Sequence, residues 1–307
     1  MHPPWTQAQD PVKTSEKIGL VVEGGGMKCA YNAGILDAFL DHQITFDYCI
    51  GVSAGAGNLA SYLAGQRGRN LRFFTQHIHS PEYFGLKSLR KTGSLFGLQY
   101  IYGTLTRSTG KDPLNFQALM DNPTEYQVVV TNALTGKAEY YGKETLRQDD
   151  YRLVMASSAI PAVCKPVELN GIPYFDGGIS EAIPVSHALS DGCSRLVVLL
   201  SKPRGYVRKP QGMRFLYARA CRNYPKIVAA IDHRHLTYNE NLKEVFALER
   251  SGQAFVFAPS RPIHVGTYSM KEEAERELYA LGLQDFQARQ AELTEFLSRS
   301  AQPVPQP

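Results

Sequence analysis

Two consecutive strand, turn and helix units, both joined by glycine-rich turns, dominate residues 18–65. Residues 18–23 (IGLVVE) form an apolar run that ends in three glycines, and residues 27–40 carry small and apolar side chains at helical spacing. Residues 46–51 (FDYCIG) and 54–65 (AGAGNLASYLAG) repeat the arrangement. Short apolar runs without alternation are typical of parallel strands that are buried on both faces. The two units therefore predict a parallel sheet covered by helices.

The alternation of strands and helices continues along the chain. The further predicted elements are strands at 127–131, 196–200 and 254–258, helices at 149–159 and 271–281, and a hairpin at 167–175 that turns at Asn170 and Gly171. We therefore predict an α/β/α layered fold with a largely parallel central sheet. Such folds bind their ligands beyond the carboxyl ends of the strands.

Composition divides the chain into four parts. Residues 1–16 carry prolines among polar residues and lack the basic-then-apolar order of a secretory signal, so we expect a flexible tail. Residues 17–201 hold the α/β core, and residues 66–120 within it are rich in Phe, Tyr, Gly and Arg, as expected of a lid-like insertion. We expect residues 202–300 to form a basic, helical C-terminal extension and residues 301–307 a disordered tail.

Ser53 lies at the joint of the second unit, within Gly51-Val52-Ser53-Ala54-Gly55. This G-x-S-x-G pattern between a strand and a helix is typical of a nucleophile elbow, where the backbone turns so sharply that the neighbouring side chains must be small. Gly51 and Gly55 meet that requirement. The following helix directs its first N–H groups towards the place where negative charge develops in acyl transfer. The pattern therefore predicts Ser53 as a nucleophile.

Gly24, Gly25 and Gly26 lie where the first strand ends and its helix begins. Because no side chains intervene, their backbone N–H groups can hold an oxyanion or a phosphate group. A dinucleotide-binding loop is the competing interpretation, since Asp47 follows at a suitable distance for a ribose contact. Asp47 begins its strand, however, whereas a ribose-binding acid belongs at the carboxyl end of one. An oxyanion loop is therefore the better supported interpretation.

Asp176 is followed by Gly177 and Gly178, directly after the predicted hairpin. Asp-Gly-Gly is a common turn sequence and carries little information alone. It gains weight because it follows the two glycine-rich motifs in the same chain. A carboxylate in a largely dry pocket gains proton affinity and can then accept the proton of a serine hydroxyl. Asp176 is therefore the candidate base.

These motifs together resemble those of the patatin-like phospholipases. In chain order they are GGGMK at residues 24–28, GVSAG at residues 51–55 and DGG at residues 176–178. The resemblance covers roughly residues 18–201, and residues 157–161 (SSAIP) with Pro166 also resemble the segment ahead of the family's catalytic acid. Cys29 departs from the family pattern, which has glycine at this place.

The resemblance implies a serine acyl hydrolase with a Ser–Asp dyad and no catalytic histidine. Ser53 would be the nucleophile, Asp176 the base, and the amides of residues 24–26 the oxyanion hole. The supporting residues would be Gly177, Gly178 and Lys28. Of these, Lys28 corresponds to the family's usual basic residue. The expected reaction cleaves fatty acyl esters of phospholipids or related lipids through an acyl-Ser53 intermediate, with no metal ion or other cofactor.

Two other functions fit the residues. A Ser-His esterase or acyltransferase would use His187, just after the Asp176 turn, or His264 further along the chain. A patatin-like chain with Cys29 in its glycine-rich loop could also bind lipid or a protein partner without turnover. Loss of activity on replacing a histidine, or failure of Ser53 to react with a fluorophosphonate, distinguishes these cases.

The charge distribution limits the possible partners. A net charge of +4 is too small an excess for nucleic-acid binding driven by phosphate contacts. Between residues 202 and 234, however, nine Lys and Arg accompany a single acid, Asp232. Such a run is usually a solvated face, and it can also attract an anionic membrane surface. Aromatic residues of the insertion, such as Phe73 and Tyr102, suit acyl chains.

The five cysteines are scattered and form no C-x-x-C pair, which favours reduced thiols over a disulfide framework or a metal site. No run approaches the roughly 18 apolar residues that span a bilayer. We therefore expect a cytoplasmic protein that can contact the inner membrane surface peripherally. Nothing in the sequence specifies an oligomeric state.

Overall fold

The computed structural model describes residues 16–262, 265–268 and 270–299. Apart from Glu16, the predicted tails at 1–16 and 301–307 lie outside the described residues. The strands are β1 (Ile18–Val22), β2 (Tyr48–Val52), β3 (Glu125–Asn132), β4 (Ala138–Gly142), β5 (Val167–Leu169), β6 (Ile172–Asp176), β7 (Arg195–Leu199) and β8 (Ala254–Phe257). The α-helices are α1 (Ala30–Asp41), α2 (Ala54–Leu63), α3 (Arg69–Phe74), α4 (Leu86–Thr92), α5 (Leu98–Tyr100), α6 (Phe116–Asp121), α7 (Arg152–Ser157), α8 (Val185–Ser190), α9 (Arg214–Ala220), α10 (Pro225–Arg250) and α11 (Glu272–Ser298).

In the described part of the chain the strands form one eight-stranded sheet, in the order β5-β6-β3-β2-β1-β7-β8 with β4 paired to β3. Strands β3, β2, β1, β7 and β8 are parallel. Strands β4, β5 and β6 pair antiparallel. Every residue of β2 and β7 is buried, as expected of parallel strands with helices on both faces. The predicted layered fold with a largely parallel sheet is confirmed.

Two apolar clusters lie on opposite faces of this sheet. Leu20 belongs to the cluster that contains α1, α2 and α11, whereas Val21 belongs to the cluster that contains α8 and α10. Successive side chains of a strand point to opposite faces, so β1 contributes to both clusters. On the first face, the rings of Phe39 in α1 and Phe286 in α11 pack edge to face with centroids 5.7 Å apart.

The C-terminal region is built into this core. Strand β8 extends the sheet by pairing with β7, and α11 packs against α1 where Gly34 faces Gly282. A Cβ on Gly34 would lie 2.2 Å from the carbonyl oxygen of Tyr279, and one on Gly282 would lie 2.3 Å from that of Tyr31. Only glycine permits so close an approach of the two helices. The boundary predicted at residue 201 stays a prediction.

The predicted elements are present, most with ends shifted by a few residues, and the short helices α3 to α6, α8 and α9 are additional to them. The hairpin turns at Asn170 and Gly171, with φ of 51° and 80°, as a two-residue turn requires. The helix predicted at 271–281 extends to Ser298. Helix α10 and strand β4 were not predicted. In α10 the buried residues are sparse among charged ones, and β4 is only half-buried, so neither has a clear apolar period.

None of the helices in the described part of the chain combines the length and the apolar character that crossing a bilayer requires.

Candidate active site

Ser53 occupies the turn between β2 and α2, with φ of 55° and ψ of −129°. A positive φ is strained for a residue that carries a side chain. The flanking positions have no room for one: a Cβ on Gly51 would lie 2.7 Å from Cα of Ala56, and one on Gly55 would lie 2.6 Å from the carbonyl oxygen of Val22. The turn therefore has the shape of a nucleophile elbow, held between a buried strand and a helix.

Strand β3 brings Asp176 to Ser53, although 123 residues separate them in the chain. Val52 at the end of β2 pairs with Val129, and Asp176 at the end of β6 pairs with the next residue, Val130. Both β3 residues also pair with β4 on the opposite edge. Strands β2 and β6 therefore meet end to end along one edge of β3. Because β2 is parallel and β6 antiparallel to β3, their carboxyl ends converge.

A hydrogen bond joins the two candidate catalytic side chains. Ser53 Oγ donates to Asp176 Oδ2 at 2.6 Å, and the backbone N–H of Gly178 donates to Oδ1 at 2.7 Å. Burial raises the pKa of the Asp176 carboxyl, against the opposing effects of the Arg234 charge and of these two hydrogen bonds. The carboxylate is thus held in one orientation and is more basic than it would be in water. This arrangement can remove the proton from a serine hydroxyl.

Ser157, at the end of α7, ties the elbow to the sheet. Its hydroxyl donates to the carbonyl oxygen of Val129 at 2.6 Å and accepts from the backbone N–H of Ser53 at 2.8 Å. The sequence marks Ser157 only as part of the SSAIP segment. Its contact with Ser53 depends on how α7 packs on β3, and the local sequence carries no signal for that.

The glycine-rich loop runs beside the elbow. A Cβ on Gly24 would lie 2.8 Å from the carbonyl oxygen of Val52 and 2.9 Å from Cβ of Ser53, so a side chain would push the loop away from the nucleophile. The backbone N–H groups of Gly24 and Gly25 donate to no acceptor in the described part of the chain. Gly26 then begins a short 3-10 turn (Gly26–Cys29) that leads into α1. Free N–H groups next to a nucleophile can stabilise an oxyanion.

A buried carboxylate anchors the start of this loop. Glu23 accepts hydrogen bonds from the backbone N–H of Ser201 at 2.6 Å and from the Tyr238 hydroxyl at 2.8 Å, and it forms an ion pair with Lys202. Glu23 has no exposed surface and Lys202 is 7% exposed. Burial lowers the pKa of Lys202, and the charge of Glu23 opposes this change. No motif in the sequence marks this pair, because it joins the ends of β1 and β7.

The loop accommodates Cys29 without exposing its thiol. Cys29 is fully buried, and its Sγ donates a weak hydrogen bond to the carbonyl oxygen of Glu23 at 3.5 Å. Burial raises the pKa of the thiol, so it stays protonated and acts as a small apolar side chain. Lys28, by contrast, lines a cavity beside Ser53.

The other residues considered for a role at this site, two histidines and Asp47, lie away from Ser53 or outside the described residues. His187 is hydrogen-bonded to Gln127 at 2.9 Å and stacks on Tyr140 with ring centroids 3.4 Å apart. His264 lies outside the described residues. Asp47 accepts a hydrogen bond from the backbone N–H of Ile18, at the opposite end of β1 from the glycines. A ribose contact by Asp47 next to the glycine-rich loop is therefore excluded.

Two cavities meet at Ser53. The smaller, of about 80 Å³, is mainly apolar and is lined by side chains of the 66–120 segment, among them Phe73, Phe74, Tyr83, Phe96, Ile101 and Tyr102. The larger, of about 610 Å³, adjoins Asp176 and the glycine-rich loop. Its basic lining residues are Lys28, Lys202, Arg208 and Arg234. Ser53 thus lies between an apolar compartment and a basic one.

The cysteines and the other potential metal ligands are scattered through the described part of the chain. All five cysteines are free and buried. Within the described residues, no three His, Cys, Asp or Glu side chains are grouped so that they could hold a metal ion. A reaction without a metal ion stays a prediction.

Two segments of the chain match family models, and two curated proteins are similar to it. Residues 20–189 match the family model of the patatin-like phospholipases, and residues 224–298 match a domain of unknown function, DUF6363. The chain is 28% identical over 272 residues to the Uncharacterized protein YjjU of Escherichia coli (strain K12). That alignment covers 87% of this chain and 75% of the other protein. It is 23% identical over 211 residues to the lysophospholipase nte1 of Emericella nidulans. That alignment covers 64% of this chain but only 13% of the other protein.

Two solved structures are also similar. VipD from Legionella pneumophila aligns with a TM-score of 0.43 and 16% identity, over 89% of this chain and 67% of that one. Human GIVD cytosolic phospholipase A2, solved with a methyl gamma-linolenyl fluorophosphonate inhibitor, aligns with a TM-score of 0.45 and 13% identity, over 95% of this chain and 60% of that one. The family model alone spans more than half of the 307 residues, and the chain therefore belongs to the patatin-like phospholipase family.

Proposed function

We propose that this chain is a serine acyl hydrolase that cleaves fatty acyl esters of phospholipids or related lipids through an acyl-Ser53 intermediate. The observation that carries the proposal is the 2.6 Å hydrogen bond from Ser53 Oγ to the buried carboxylate of Asp176, where an apolar cavity and a basic cavity meet. Membership of the patatin-like phospholipase family supports ester hydrolysis. The relative from Emericella nidulans is named a lysophospholipase.

In the acylation step, Ser53 Oγ attacks the ester carbonyl carbon while Asp176 takes the hydroxyl proton. A new C–O bond forms, and the former carbonyl oxygen becomes an oxyanion. The N–H groups of Gly24 and Gly25 and the N-terminus of α2 stabilise that charge. As the tetrahedral intermediate collapses, the bond to the alcohol breaks and Asp176 returns its proton to the leaving oxygen. The alcohol departs and the acyl group stays on Ser53.

Deacylation repeats the sequence with water as the nucleophile. Asp176, ionised again, takes a proton from a water molecule whose oxygen attacks the acyl carbon. Collapse of the second intermediate breaks the bond to Ser53 Oγ, which recovers the proton, and the fatty acid is released. The hydrogen bond from Gly178 keeps the carboxylate oriented through both steps. One carboxylate therefore serves as acid and as base, and no histidine is needed.

The smaller cavity suits the acyl chain of the substrate. Its lining is dominated by aromatic and aliphatic side chains of the 66–120 segment, and it opens at Ser53. Apolar cavities with a few polar groups at one end are typical of lipid sites. In this proposal the 66–120 insertion holds the acyl group, while the alcohol part of the ester extends into the basic cavity.

An alkyl fluorophosphonate should label the wild-type protein on Ser53, because its phosphorus reacts with an activated serine hydroxyl. Ser53→Ala should remain unlabelled, and Ser94→Ala, which alters a serine of the insertion, should be labelled like the wild type. Mass spectrometry of the modified peptide measures the result. A folded wild-type protein that resists labelling would support the catalytically silent alternative instead.

We further propose that the surface around the larger cavity contacts an anionic membrane. Val207, Met213 and Phe215 are each more than 60% exposed, and Met213 also lines the larger cavity. Basic residues of the 202–234 run, such as Arg214, alternate with these apolar side chains. Apolar side chains among basic ones are typical of surfaces that insert into a lipid interface.

Replacing Arg214, Arg219 and Arg222 together by Gln should weaken binding to anionic vesicles by at least about tenfold, since each basic residue near such a surface contributes about 1 kcal/mol. Raising the salt concentration should have the same effect on the wild type, because exposed charges are screened over about 8 Å at physiological ionic strength. Binding to neutral vesicles should change little. Sedimentation with vesicles of each composition measures both effects.

The matched control replaces Arg261, Arg276 and Arg299, which lie on or beside α11 on the other face of the sheet. With Gln at all three positions this control also removes three positive charges, and each of its arginines, like Arg214, forms a surface ion pair. The membrane proposal is wrong if this control loses as much binding, if anionic and neutral vesicles bind equally, or if the first variant loses activity on a soluble ester to the same extent.

A further inference from the structure

We infer that the larger cavity binds a phosphate group through Arg208 and Arg234, so that the preferred substrate carries a phosphate on the alcohol side of the scissile ester. This phosphate site would extend the proposed function. Only the placement of the phosphate relative to the scissile ester rests on that function. The phosphate site itself can be tested without turnover.

The lining of this cavity has an excess of positive charge. Its charged residues are Glu23, Lys28, Asp176, Lys202, Arg208 and Arg234. Both carboxylates already have partners, because Glu23 is paired with Lys202 and Asp176 with Ser53 and Gly178. When the two carboxylates are ionised, two positive charges of the lining remain uncompensated. A cavity with such a lining attracts anions.

Arg208 is held in place without an anionic partner. Its backbone N–H donates to Oδ1 of Asn239 at 2.9 Å, and its carbonyl oxygen accepts from Nδ2 of the same side chain at 3.0 Å. Its guanidinium lies over the ring of Tyr238, 5.4 Å from the centroid. Within the described residues no carboxylate forms an ion pair with it. The guanidinium is therefore positioned by α10 and faces the cavity with its charge free to bind.

Arg234 reaches the same cavity from α10. Its Nε donates to the carbonyl oxygen of Gly178, which directs the rest of the guanidinium towards the site. Burial lowers the pKa of Arg234 to about 10, the like charge of Arg208 acts in the same direction, and Asp176 opposes both. The fold thus brings two guanidinium groups together against their mutual repulsion. An anion bound between them removes that cost.

The chemistry of the two cavities identifies the anion as a phosphate. If the apolar cavity holds the acyl chain, the larger cavity receives the alcohol part of the ester, which in a glycerophospholipid carries the phosphate. Guanidinium groups offer paired N–H donors that match phosphate oxygens. A head group with an added ammonium would bring a cation towards a positive lining. Lipids whose only head-group charge is the phosphate should therefore be preferred.

The two arginines lie outside the part of the chain that matches the patatin-like model. That match ends at residue 189, whereas Arg234 lies in the segment that matches the domain of unknown function, and Arg208 lies between the two. In this inference the C-terminal region supplies the specificity for the head group, while the patatin-like part supplies the reacting groups.

Binding of glycerol 3-phosphate, inorganic phosphate and glycerol to full-length Ser53→Ala, measured by isothermal titration calorimetry, tests the site directly. We expect glycerol 3-phosphate to bind most tightly and glycerol not to bind. Arg208→Gln and Arg234→Gln are each introduced separately into Ser53→Ala. Each should weaken glycerol 3-phosphate binding by about tenfold to a hundredfold, the usual effect of removing a charge-assisted hydrogen bond. Lys243→Gln, an exposed charge on the same helix paired with Glu240, should leave binding unchanged.

Comparing inorganic phosphate with glycerol 3-phosphate distinguishes a site for free phosphate from a site for a lipid head group. If inorganic phosphate binds as tightly as glycerol 3-phosphate, the site takes free phosphate and the assignment to a head group is wrong. If glycerol 3-phosphate does not bind, or if both arginine variants bind it like Lys243→Gln, there is no such phosphate site.

The kcat/KM for lipids with and without a phosphate provides a second, independent test. The kcat/KM of Arg208→Gln should fall at least about tenfold more for lysophosphatidic acid than for a monoacylglycerol with the same acyl chain. An equal fall on both substrates would assign Arg208 a structural role and overturn the inference. If glycerol 3-phosphate binds but neither lipid is hydrolysed by the wild type, the proposed hydrolysis fails and the phosphate site stands.

Discussion

Replacing Ser53 by Ala or Asp176 by Asn should each lower ester turnover by at least about a thousandfold while leaving the fold intact. Ser53 supplies the attacking oxygen, and Asp176 is the carboxylate that accepts its hydrogen bond at 2.6 Å. Asparagine has the shape of aspartate and can still accept the hydrogen bond from Gly178, but it cannot take a proton. Measurement of kcat/KM on a soluble ester, with circular dichroism to check folding, tests the expectation.

The double variant should be no less active than either single variant, because the two residues act as one unit. His187→Ala is the matched control and should keep most of its activity, since His187 contacts Gln127 and Tyr140. Substantial activity in Asp176→Asn, together with loss in His187→Ala or His264→Ala, would instead assign the base to a histidine.

The pH dependence gives an independent readout of the same dyad. Burial raises the pKa of Asp176 above the ordinary value of 3.8, while Arg234 and Arg208 act to lower it. Asp176 must be ionised to accept a proton, so kcat/KM should fall as the pH decreases through this raised pKa. The acid limb should therefore have a midpoint above 3.8. In Arg234→Gln, which removes a charge that favours the carboxylate, the midpoint should move to higher pH.

Lys202→Met should reduce the free energy of unfolding by about 3 to 5 kcal/mol, the usual effect of removing one partner from a buried ion pair. The substitution leaves the carboxylate of Glu23 in the core with its charge uncompensated. Glu23 directly precedes Gly24, so the glycine-rich loop should also lose order. Unfolding in guanidinium chloride, followed by circular dichroism, measures the change.

The control for this expectation is the double variant Glu23→Gln, Lys202→Met, which removes both charges. It should be more stable than Lys202→Met alone, because an uncharged amide costs less to bury than an isolated carboxylate. A Lys202→Met protein within about 1 kcal/mol of the wild type would mean that the pair contributes as little as an exposed one.

The core elements and the motif residues could be predicted from the sequence because their signals are local. Apolar runs followed by glycine mark β1 and β2, and their order with the helices was sufficient for the layered parallel fold. Helix α10 was missed because only four of its residues, Ile227, Ile231, Tyr238 and Val245, are buried among polar ones. Its place in the fold depends on the sheet that it covers.

The same division holds within the candidate site. The glycine-flanked turn around Ser53 is a property of neighbouring residues, since a sharp turn excludes side chains whatever lies around it. The contacts of Ser53 with Asp176 and Ser157 join residues more than 100 positions apart. The contact with Asp176 exists because β2 and β6 end at adjacent residues of β3, and the contact with Ser157 exists because the end of α7 packs on β3.

Local residue patterns thus determined the strands of the core, the elbow and the glycine-rich loop, because steric limits and apolar periodicity act over a few residues. Tertiary structure alone decided the raised pKa of Asp176, the Glu23–Lys202 pair and the basic cavity that Arg208 and Arg234 line. Charge–charge interactions and desolvation depend on distance and burial in space. Neither quantity exists until the sheet brings distant segments of the chain together.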